Sequence, residues 1–166
     1  IDTIKQQAIE AMGFERLNEM QEATLQAAPE GKDILLLSPT GSGKTLAFLL
    51  PVAAQQDSAL IIAPSRELVQ QIRDVWQKLH TGIRCVACYG GHDLRTEQDQ
   101  LQSLIDADSR MQHCLIVGTP GRLKDHLKRG NFPPDLFSLL VIDEFDKAPA
   151  GTVLVAQIQS GGTGLN

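Results

Sequence analysis

The sequence predicts a single α/β domain with an open, parallel, doubly wound sheet and helices on both faces. Five short runs rich in Val, Ile and Leu are mostly continuous rather than alternating. Such runs are typical of strands buried on both faces, which belong to parallel sheets. Segments of helical length and pattern lie between these runs, so strands and helices alternate along the chain.

The predicted elements follow one another in the order that a doubly wound sheet requires. The strands are predicted at residues 33–38, 59–64, 84–89, 113–119 and 139–144. Helices are predicted at residues 46–55, 66–80 and 94–106 between them. Two further helical stretches, residues 3–12 and 19–27, precede the first strand and form an N-terminal addition.

The composition excludes several classes of protein. A chain of 166 residues with 42% hydrophobic and 21% charged residues fits one ordinary domain that needs neither disulfides nor a structural metal. Fifteen Lys and Arg against 20 Asp and Glu give a net charge of −5, so any nucleic-acid contact must be local. No apolar run approaches the roughly 20 residues that span a bilayer, and no signal peptide is apparent, so a cytoplasmic protein is expected.

The three cysteines are predicted to be structural. An odd number argues against a closed disulfide framework. Cys85 and Cys88 form a CxxC pattern, which raises a redox or zinc interpretation. Because they fall in a predicted strand, where positions three apart point to opposite faces, their thiols should diverge.

The turn after the first strand predicts a phosphate-binding loop. It leaves a strand and enters the apolar helix that begins near Leu46, so backbone N–H groups and the helix dipole converge on one point. Lys44 would reach the β and γ phosphates, and the Thr45 hydroxyl would bind Mg²⁺. The alternative, a glycine-rich turn with an exposed lysine, does not explain this context. The predicted nucleotide-binding residues of the loop are Thr40, Gly41, Ser42, Gly43, Lys44 and Thr45.

A pair of carboxylates follows the last predicted strand. Asp143 and Glu144 come at its C-terminal end, where open α/β sheets place their ligands. Asp143 suits Mg²⁺, and Glu144 suits positioning the water that attacks the γ phosphate. Alone, an acidic turn capping a helix would explain them equally well. Together with the phosphate loop, they predict catalytic roles for Lys44, Asp143 and Glu144, and metal binding by Thr45 and Asp143.

With these motifs in order, residues 1–147 resemble the first RecA-like lobe of DEAD-box RNA helicases. The shared motifs are the phosphate loop, residues 143–146, Gly13-Phe14 with Gln21 eight positions after the glycine, residues 64–68, Gly90-Gly91 and residues 119–122. In that family the glutamine reads both edges of adenine, which implies this role for Gln21, with Phe14 near the base. An exposed helical Gln21 and a core Phe14 are the structural alternatives.

The resemblance also implies contacts with the RNA backbone. The residues concerned are Pro64, Ser65, Arg66, Gly90, Gly91, Thr119, Pro120, Gly121 and Arg122. Capping of the following helices is a sufficient structural explanation for Ser65 and Thr119. Lys124, Lys128 and Arg129 follow closely in sequence, so a small basic patch is compatible with an acidic protein. Such a patch binds phosphates rather than reading bases.

The sequence departs from the family pattern in several places. Leu17, Asn18 and Glu19 replace the usual threonine flanked by prolines, which weakens the hydrogen-bonding shell of the adenine site but keeps its register. Ser38 replaces the first glycine of the phosphate loop, and Phe145 replaces the alanine of the family name.

The resemblance ends at Lys147. The family's next helix and the strand ending in Ser-Ala-Thr are missing from residues 148–166, an atypical tail. Residues 153–166 are instead similar to a strand and glycine-rich motif in the second lobe of chromatin-remodelling translocases, which favours a chimeric chain. A parallel crossover needs about a dozen residues or more. A strand at 153–158 would therefore pair antiparallel, join another molecule's sheet in a swapped dimer, or fill the missing strand's place.

The resemblance predicts the ATP-binding lobe of an ATP-dependent RNA helicase, with ATP and Mg²⁺ as cofactors and RNA as a partner. Hydrolysis should be weak or absent and unwinding should not occur, because the family places the transition-state arginines on a second RecA-like lobe. Two alternatives stay open: a lobe of a DNA translocase or remodeller, suggested by the tail, and an engineered non-catalytic scaffold derived from a helicase.

Overall fold

The fold consists of six helices and six strands among the residues that the structure describes. The computed structural model describes residues 2–30, 33–37, 43–54, 58–105, 108 and 110–143, and the backbone of residues 152–157. The helices are α1 (Asp2–Met12), α2 (Glu19–Ala27), α3 (Lys44–Ala54), α4 (Arg66–Lys78), α5 (Leu94–Gln102) and α6 (Pro120–Lys128), with a 3-10 turn at Ala28–Glu30. The strands are β1 (Ile34–Leu37), β2 (Ser58–Ile62), β3 (Arg84–Cys88), β4 (Cys114–Gly118), β5 (Phe137–Asp143) and β6 (Thr152–Gln157).

The strands form one sheet in the order β1-β6-β5-β2-β4-β3. The pairs β2–β5, β2–β4 and β3–β4 are parallel, which confirms the predicted parallel α/β sheet. The connections between these parallel strands run through α4, α5 and α6. The carboxyl ends of β2, β3, β4 and β5 therefore meet at one edge of the sheet, which is where ligands bind in such folds.

The last strand departs from the parallel pattern. β6 lies between β1 and β5 and is antiparallel to both. Its residue Val153 pairs with Leu36 of β1 on one side and with Asp143 of β5 on the other. Of the three placements left open by the sequence, this structure has antiparallel pairing within the chain's own sheet. The domain boundary predicted at residue 147 stays a prediction, although β6 belongs to the same sheet as the other strands. Residues 144–151 and 158–166 lie outside the described residues.

Helices cover both faces of the sheet, as predicted. Along β4, Leu115 and Val117 belong to the core shared with α3 and α4, whereas Cys114 and Ile116 belong to the core beneath α5 and α6. Burial of alternate side chains in two cores explains why the strand reads as a continuous apolar run. Helix α3 is buried over residues 46–53, so the segment that follows the phosphate loop forms the centre of the first core.

The cysteines are structural in the part of the chain that the structure describes. All three are free thiols. Cys85 packs against the core on the α3 face and Cys88 belongs to the core on the opposite face, so the CxxC thiols diverge as predicted. Burial raises the pKa of Cys85 to about 12 and raises the pKa of Cys114 above its usual value. These thiols therefore stay protonated near neutral pH.

Gly118, the last residue of β4, is required by close packing. A Cβ at this position would lie 2.7 Å from the Cys88 carbonyl oxygen and 2.7 Å from the Leu123 side chain. The Cys88 oxygen cannot move away easily because it accepts a hydrogen bond from Thr119 N at 3.0 Å. The absence of a side chain at Gly118 therefore lets β4 and α6 approach β3.

We expect Gly118→Ala to destabilise the chain by about 1–3 kcal/mol, the usual cost of overpacking. Gly121 is the matched control, because it lies in α6 and a Cβ there would meet no atom within 4 Å. Gly121→Ala should stabilise the chain by about 0.5 kcal/mol, since alanine favours a helix more than glycine does. Urea unfolding of the two variants measures both changes in the free energy of unfolding. Equal changes in the two variants would contradict the prediction.

Candidate functional site

A cavity of about 400 Å³ opens beside the carboxyl end of β5 and the first turn of α3. It brings together residues from five separate segments of the chain. Those predicted from the sequence are Phe14, Gln21, Gly43, Lys44, Thr45 and Asp143. Leu68 and Val75 of α4 complete the wall. A larger and more open groove of about 1110 Å³ follows residues 16–26 but contains none of the predicted site residues.

Gln21 is held rigidly at this cavity. It is only 2% exposed, which excludes the alternative of an exposed helical residue. Its backbone N–H donates to Asn18 Oδ1 at 2.9 Å, and its Oε1 accepts from Asn18 N at 3.0 Å. This reciprocal capping box begins α2. Asn18, which departs from the family threonine, therefore fills the N-cap position and keeps the glutamine in place.

The amide of Gln21 also contacts the phosphate-loop segment. Gln21 Nε2 donates to the Gly43 carbonyl oxygen at 3.2 Å. Gly43 has a φ of +85°, and a Cβ there would lie 2.5 Å from Gln21 Nε2. Both facts require glycine at this position. One amide hydrogen and one oxygen lone pair of Gln21 are used in these bonds, which leaves one of each for a ligand.

Phe14 lies at the mouth of the same cavity. Its ring is 43% exposed, so the alternative of a core phenylalanine is wrong. The preceding Gly13 adopts a φ of +69°, and Phe14 N donates to the Ile9 carbonyl oxygen at 3.0 Å. This turn at the end of α1 directs the chain over the cavity. An exposed aromatic ring beside a buried amide is the combination that a flat heterocycle requires.

Lys44, Thr45 and Asp143 form the polar end of the cavity. Helix α3 begins at Lys44, so Lys44 and Thr45 lie in its first turn. The positive end of the helix dipole therefore adds to the charge of the Lys44 ammonium. Asp143 is 6% exposed and ends β5. A hydroxyl and a carboxylate are hard oxygen ligands, which suit Mg²⁺ with bound phosphates. The residues present therefore fit the cation that the sequence predicts.

Four predicted site residues lie outside the described residues. Thr40, Gly41 and Ser42 belong to the phosphate loop, and Glu144 follows Asp143. Their roles stay predictions.

The predicted RNA-contacting residues lie at the other half of the same sheet edge. They occupy three loops, after β2, β3 and β4, and these strands are neighbours in the sheet. Arg66, with a side chain 59% exposed, reaches across from the first loop to the second. Its Nη1 lies 2.8 Å from the place that a Cβ on Gly91 would take, and Gly91 has a φ of +88°. Pro64, Gly90, Pro120 and Gly121 are exposed.

Ser65 and Thr119 both occupy N-cap positions, but only Ser65 caps with its side chain. Ser65 Oγ accepts from Leu68 N at 3.3 Å. Thr119 has cap backbone geometry, and its side chain makes no capping hydrogen bond to α6. Capping therefore explains Ser65 and does not explain the Thr119 hydroxyl.

We expect Ser65→Ala to destabilise the chain by about 1 kcal/mol through loss of the cap. Thr119→Ala should cost less than about 0.5 kcal/mol, because it removes no capping bond. Thermal or urea unfolding of the two variants measures the difference. Equal losses would contradict the assignment of the two hydroxyls.

Arg122 is partly buried rather than exposed. Its side chain is 14% exposed and its Nε lies 3.7 Å from Glu97 Oε1. Its Nη2 donates to the His92 carbonyl oxygen at 2.8 Å. The side chain predicted to contact RNA is thus anchored in the protein by two residues that the sequence analysis did not single out.

Glu97, His92 and His126 are the residues that the sequence analysis missed. One signal points to the first of them: Glu97 falls between Leu94 and Leu101 at the spacing of one helical face. A carboxylate on an apolar face must be buried and paired. Its partners could not be read from the sequence, because they come from the loop after β3 and from α6.

The family match agrees with this arrangement. The family described as DEAD/DEAH box helicase matches residues 18–152, most of the chain. The chain belongs to the DEAD/DEAH box helicase family. The roles predicted for the cavity residues and for the three loops stay predictions.

Similar proteins give the same family. The chain is 38% identical over 148 residues to "ATP-dependent RNA helicase CshA" of Listeria monocytogenes, covering 84% of this chain and 27% of that protein. It is 35% identical over 150 residues to "DEAD-box ATP-dependent RNA helicase CshC" of Bacillus cereus, covering 86% of the chain and 36% of that protein. The chain thus spans about a quarter to a third of the length of these relatives.

Solved structures support the fold. A hypothetical ATP-dependent RNA helicase from Sulfolobus tokodaii superposes with a TM-score of 0.75 at 27% identity, covering 87% of this chain and 41% of that one. The yeast DEAD-box splicing factor Prp28 has a TM-score of 0.69 at 29% identity, covering 82% and 34%.

The comparisons do not support a chimeric chain or a remodelling-type motif in the tail. The glycine-rich residues 161–164 lie outside the described residues. Among the helices that the structure describes, none is long and apolar enough to cross a membrane. A cytoplasmic location stays a prediction.

Proposed function

We propose that this chain is the ATP-binding lobe of an ATP-dependent RNA helicase, which binds ATP with Mg²⁺ and contacts the RNA backbone. The observation that carries the proposal is the convergence of Phe14, Gln21, Lys44, Thr45 and Asp143 on one cavity of about 400 Å³. Aromatic ring, paired amide, ammonium, hydroxyl and carboxylate are the groups that a base, a triphosphate and a divalent cation need. Family membership and the names of the relatives agree with it.

Each cavity residue has a distinct task in this proposal. Gln21 binds the adenine edge with the donor and acceptor that its capping box leaves unused, and Phe14 covers the base. Lys44 binds phosphate oxygens, while Thr45 and Asp143 hold Mg²⁺. A bound Mg²⁺ would neutralise the negative charge that develops on the phosphate oxygens during transfer. Glu144 would position the attacking water.

The RNA backbone would bind along the loops after β2, β3 and β4. Backbone N–H groups of Gly90 and Gly91 and of the α6 N-terminus suit phosphate oxygens, and Arg66 adds an exposed positive charge. Nucleotide and RNA would then occupy neighbouring parts of the same sheet edge, the nucleotide beside β5 and α3 and the RNA along the loops after β2, β4 and β3. This division explains how an acidic chain with a net charge of −5 holds two polyanions.

The chain alone should hydrolyse ATP weakly or not at all and should not unwind RNA. The chain covers only 27% and 36% of the two relatives described above. In the family, as the sequence resemblance implies, a second RecA-like lobe supplies arginines to the transition state and half of the RNA cleft. We propose such a lobe as the partner needed for full activity. A swapped dimer stays a prediction.

Titration calorimetry of the purified chain with ATP and ADP in the presence of Mg²⁺, with GTP as the control, tests the proposal. We expect ATP and ADP to bind and GTP to bind at least about tenfold more weakly. The amide of Gln21 pairs with an edge of adenine that carries a donor beside an acceptor, whereas the same edge of guanine carries two acceptors. Equal affinity for GTP would remove the role of Gln21. No binding of any nucleotide by a folded chain would overturn the proposal.

A further inference from the structure

Glu97 is a buried carboxylate at the centre of the proposed RNA-binding half of the sheet edge. It lies in α5 and is 0% exposed. Burying a carboxylate is costly unless hydrogen-bond donors surround it. The residues that supply those donors come from two separate segments that both belong to the proposed RNA surface.

Each oxygen of Glu97 serves a different segment. Oε2 accepts from Tyr89 N at 3.0 Å and contacts His92 Nδ1 at 2.8 Å, so it holds the two ends of the Gly90-Gly91 turn. Oε1 contacts His126 Nε2 at 2.7 Å and lies 3.7 Å from Arg122 Nε, so it holds α6. One side chain thereby joins the loop after β3 to the helix after β4.

The surrounding groups fix the orientation of these partners. Asn131 Nδ2 lies 2.9 Å from His126 Nδ1, and because an amide NH₂ only donates, His126 Nδ1 accepts and Nε2 carries the hydrogen toward Glu97. The ring of His92 stacks on Tyr89 with centroids 5.0 Å apart. Arg122 also links α6 directly to the loop after β3, because it donates to the His92 carbonyl oxygen at 2.8 Å.

The same residues do not form a metal site. Donor atoms of Cys88, Glu97 and His126 lie within 4.8 Å of one another. Burial, and after it the charge of Glu97, raises the pKa of the Cys88 thiol above its usual value, so the thiol stays protonated. The Arg122 guanidinium also lies beside the carboxylate, where a cation would have to bind. The cluster is therefore a hydrogen-bond network.

We propose that Glu97 is a positioning residue for RNA binding, which sets the spacing between the Gly90-Gly91 turn and the N-terminus of α6. A phosphodiester backbone binds both segments only when their N–H groups and Arg122 are held at a fixed separation. The inference rests on the proposed function, since it assumes that these loops contact RNA.

The test compares two neutralised acids on the same helix. Glu97→Gln removes one negative charge at the network, and Asp99→Asn removes one from an exposed position two residues later. Simple charge repulsion predicts that both changes tighten binding of a fluorescein-labelled oligouridylate. The positioning role predicts the opposite sign for Glu97→Gln only, a loss of about tenfold in affinity at constant salt. Fluorescence anisotropy measures both values.

Two further readouts separate positioning from a general structural role. ATP affinity of Glu97→Gln should stay within about twofold of the wild type, because the cavity lies beyond β2. In an Arg122→Gln background, Glu97→Gln should lower RNA affinity by a smaller factor than it does in the wild type, because one of the groups that Glu97 positions is already lost. Additive losses of RNA affinity in this double-mutant cycle would overturn the inference. Oligouridylate binding by Glu97→Gln that equals or exceeds that of the wild type would overturn it as well.

A second variant covers the case in which Glu97→Gln does not fold. His92→Phe keeps a ring against Tyr89 but removes one hydrogen bond to Glu97, at a side chain 28% exposed. It should lower oligouridylate affinity about threefold with ATP affinity unchanged; unchanged RNA affinity would overturn the inference. A wild-type chain that binds ATP but no oligouridylate would instead refute the RNA part of the proposed function.

Discussion

Lys44→Ala should lower the affinity for ATP with Mg²⁺ by about tenfold to hundredfold. Lys44 begins α3 and lines the cavity with Thr45 and Asp143. Hydrogen bonds from a charged donor contribute about 1.5–3 kcal/mol, and each 1.4 kcal/mol corresponds to a factor of about ten in affinity. Calorimetry with ATP and with ADP measures the effect. The loss should be larger for ATP, since the lysine is expected to reach the γ phosphate as well as the β phosphate.

Lys78→Ala is the matched control for Lys44→Ala. Lys78 is an exposed lysine in the last turn of α4, and it does not line the cavity. Its removal changes the net charge by the same amount and should alter ATP affinity by less than about twofold. An unchanged ATP affinity in Lys44→Ala would contradict the phosphate-binding role of this residue. Equal losses of ATP affinity in both variants would show that Lys44 acts only through its long-range charge.

Gln21→Ala should abolish the preference for adenine over guanine. The substitution removes an amide that is 2% exposed and faces the cavity. A site that hydrogen-bonds its ligand discriminates strongly, because the wrong ligand leaves buried polar groups unpaired. We expect ATP affinity to fall by about tenfold while GTP affinity changes little. The ratio of the two dissociation constants from calorimetry is the measurement.

The same variant should also lose stability. Gln21→Ala removes the oxygen that accepts from Asn18 N at 3.0 Å, half of the capping box of α2. The expected cost is about 1–2 kcal/mol in urea unfolding. Gln26→Ala, an exposed glutamine on the same helix, is the control and should change neither stability nor nucleotide preference appreciably. Retention of adenine preference by a folded Gln21→Ala chain would show that another group reads the base.

Much of the site follows from local pattern. The glycine-rich turn between a strand and a helix, and the carboxylate at the end of an apolar strand, predict Lys44, Thr45 and Asp143 from sequence neighbours alone. The position of Gln21 was predicted by the family resemblance rather than by its sequence neighbours. Its burial was not, because the exposed fraction of a helical glutamine depends on what packs over it. Here the Gly43 segment does so, at 3.2 Å from Gln21 Nε2.

The residues around Glu97 show the opposite case. The four partners of this carboxylate come from residues 89 and 92 on one side and residues 122 and 126 on the other. No sequence period links these positions. Sequence reasoning assigned Arg122 to RNA by its motif, whereas the structure adds an ion-pair partner that holds it. Buried polar networks arise from tertiary packing, so only the fold reveals them.

The sequence by itself determined the α/β class, the order and approximate bounds of five strands and five helices, and the placement of the motifs at strand ends. It did so because periodicity, glycine and capping residues act over a few neighbours. Only the tertiary structure decided that β6 enters the sheet antiparallel between β1 and β5, and that Glu97 joins two loops. Strand direction and burial of charge depend on contacts between segments far apart in the chain, whose energies no local pattern contains.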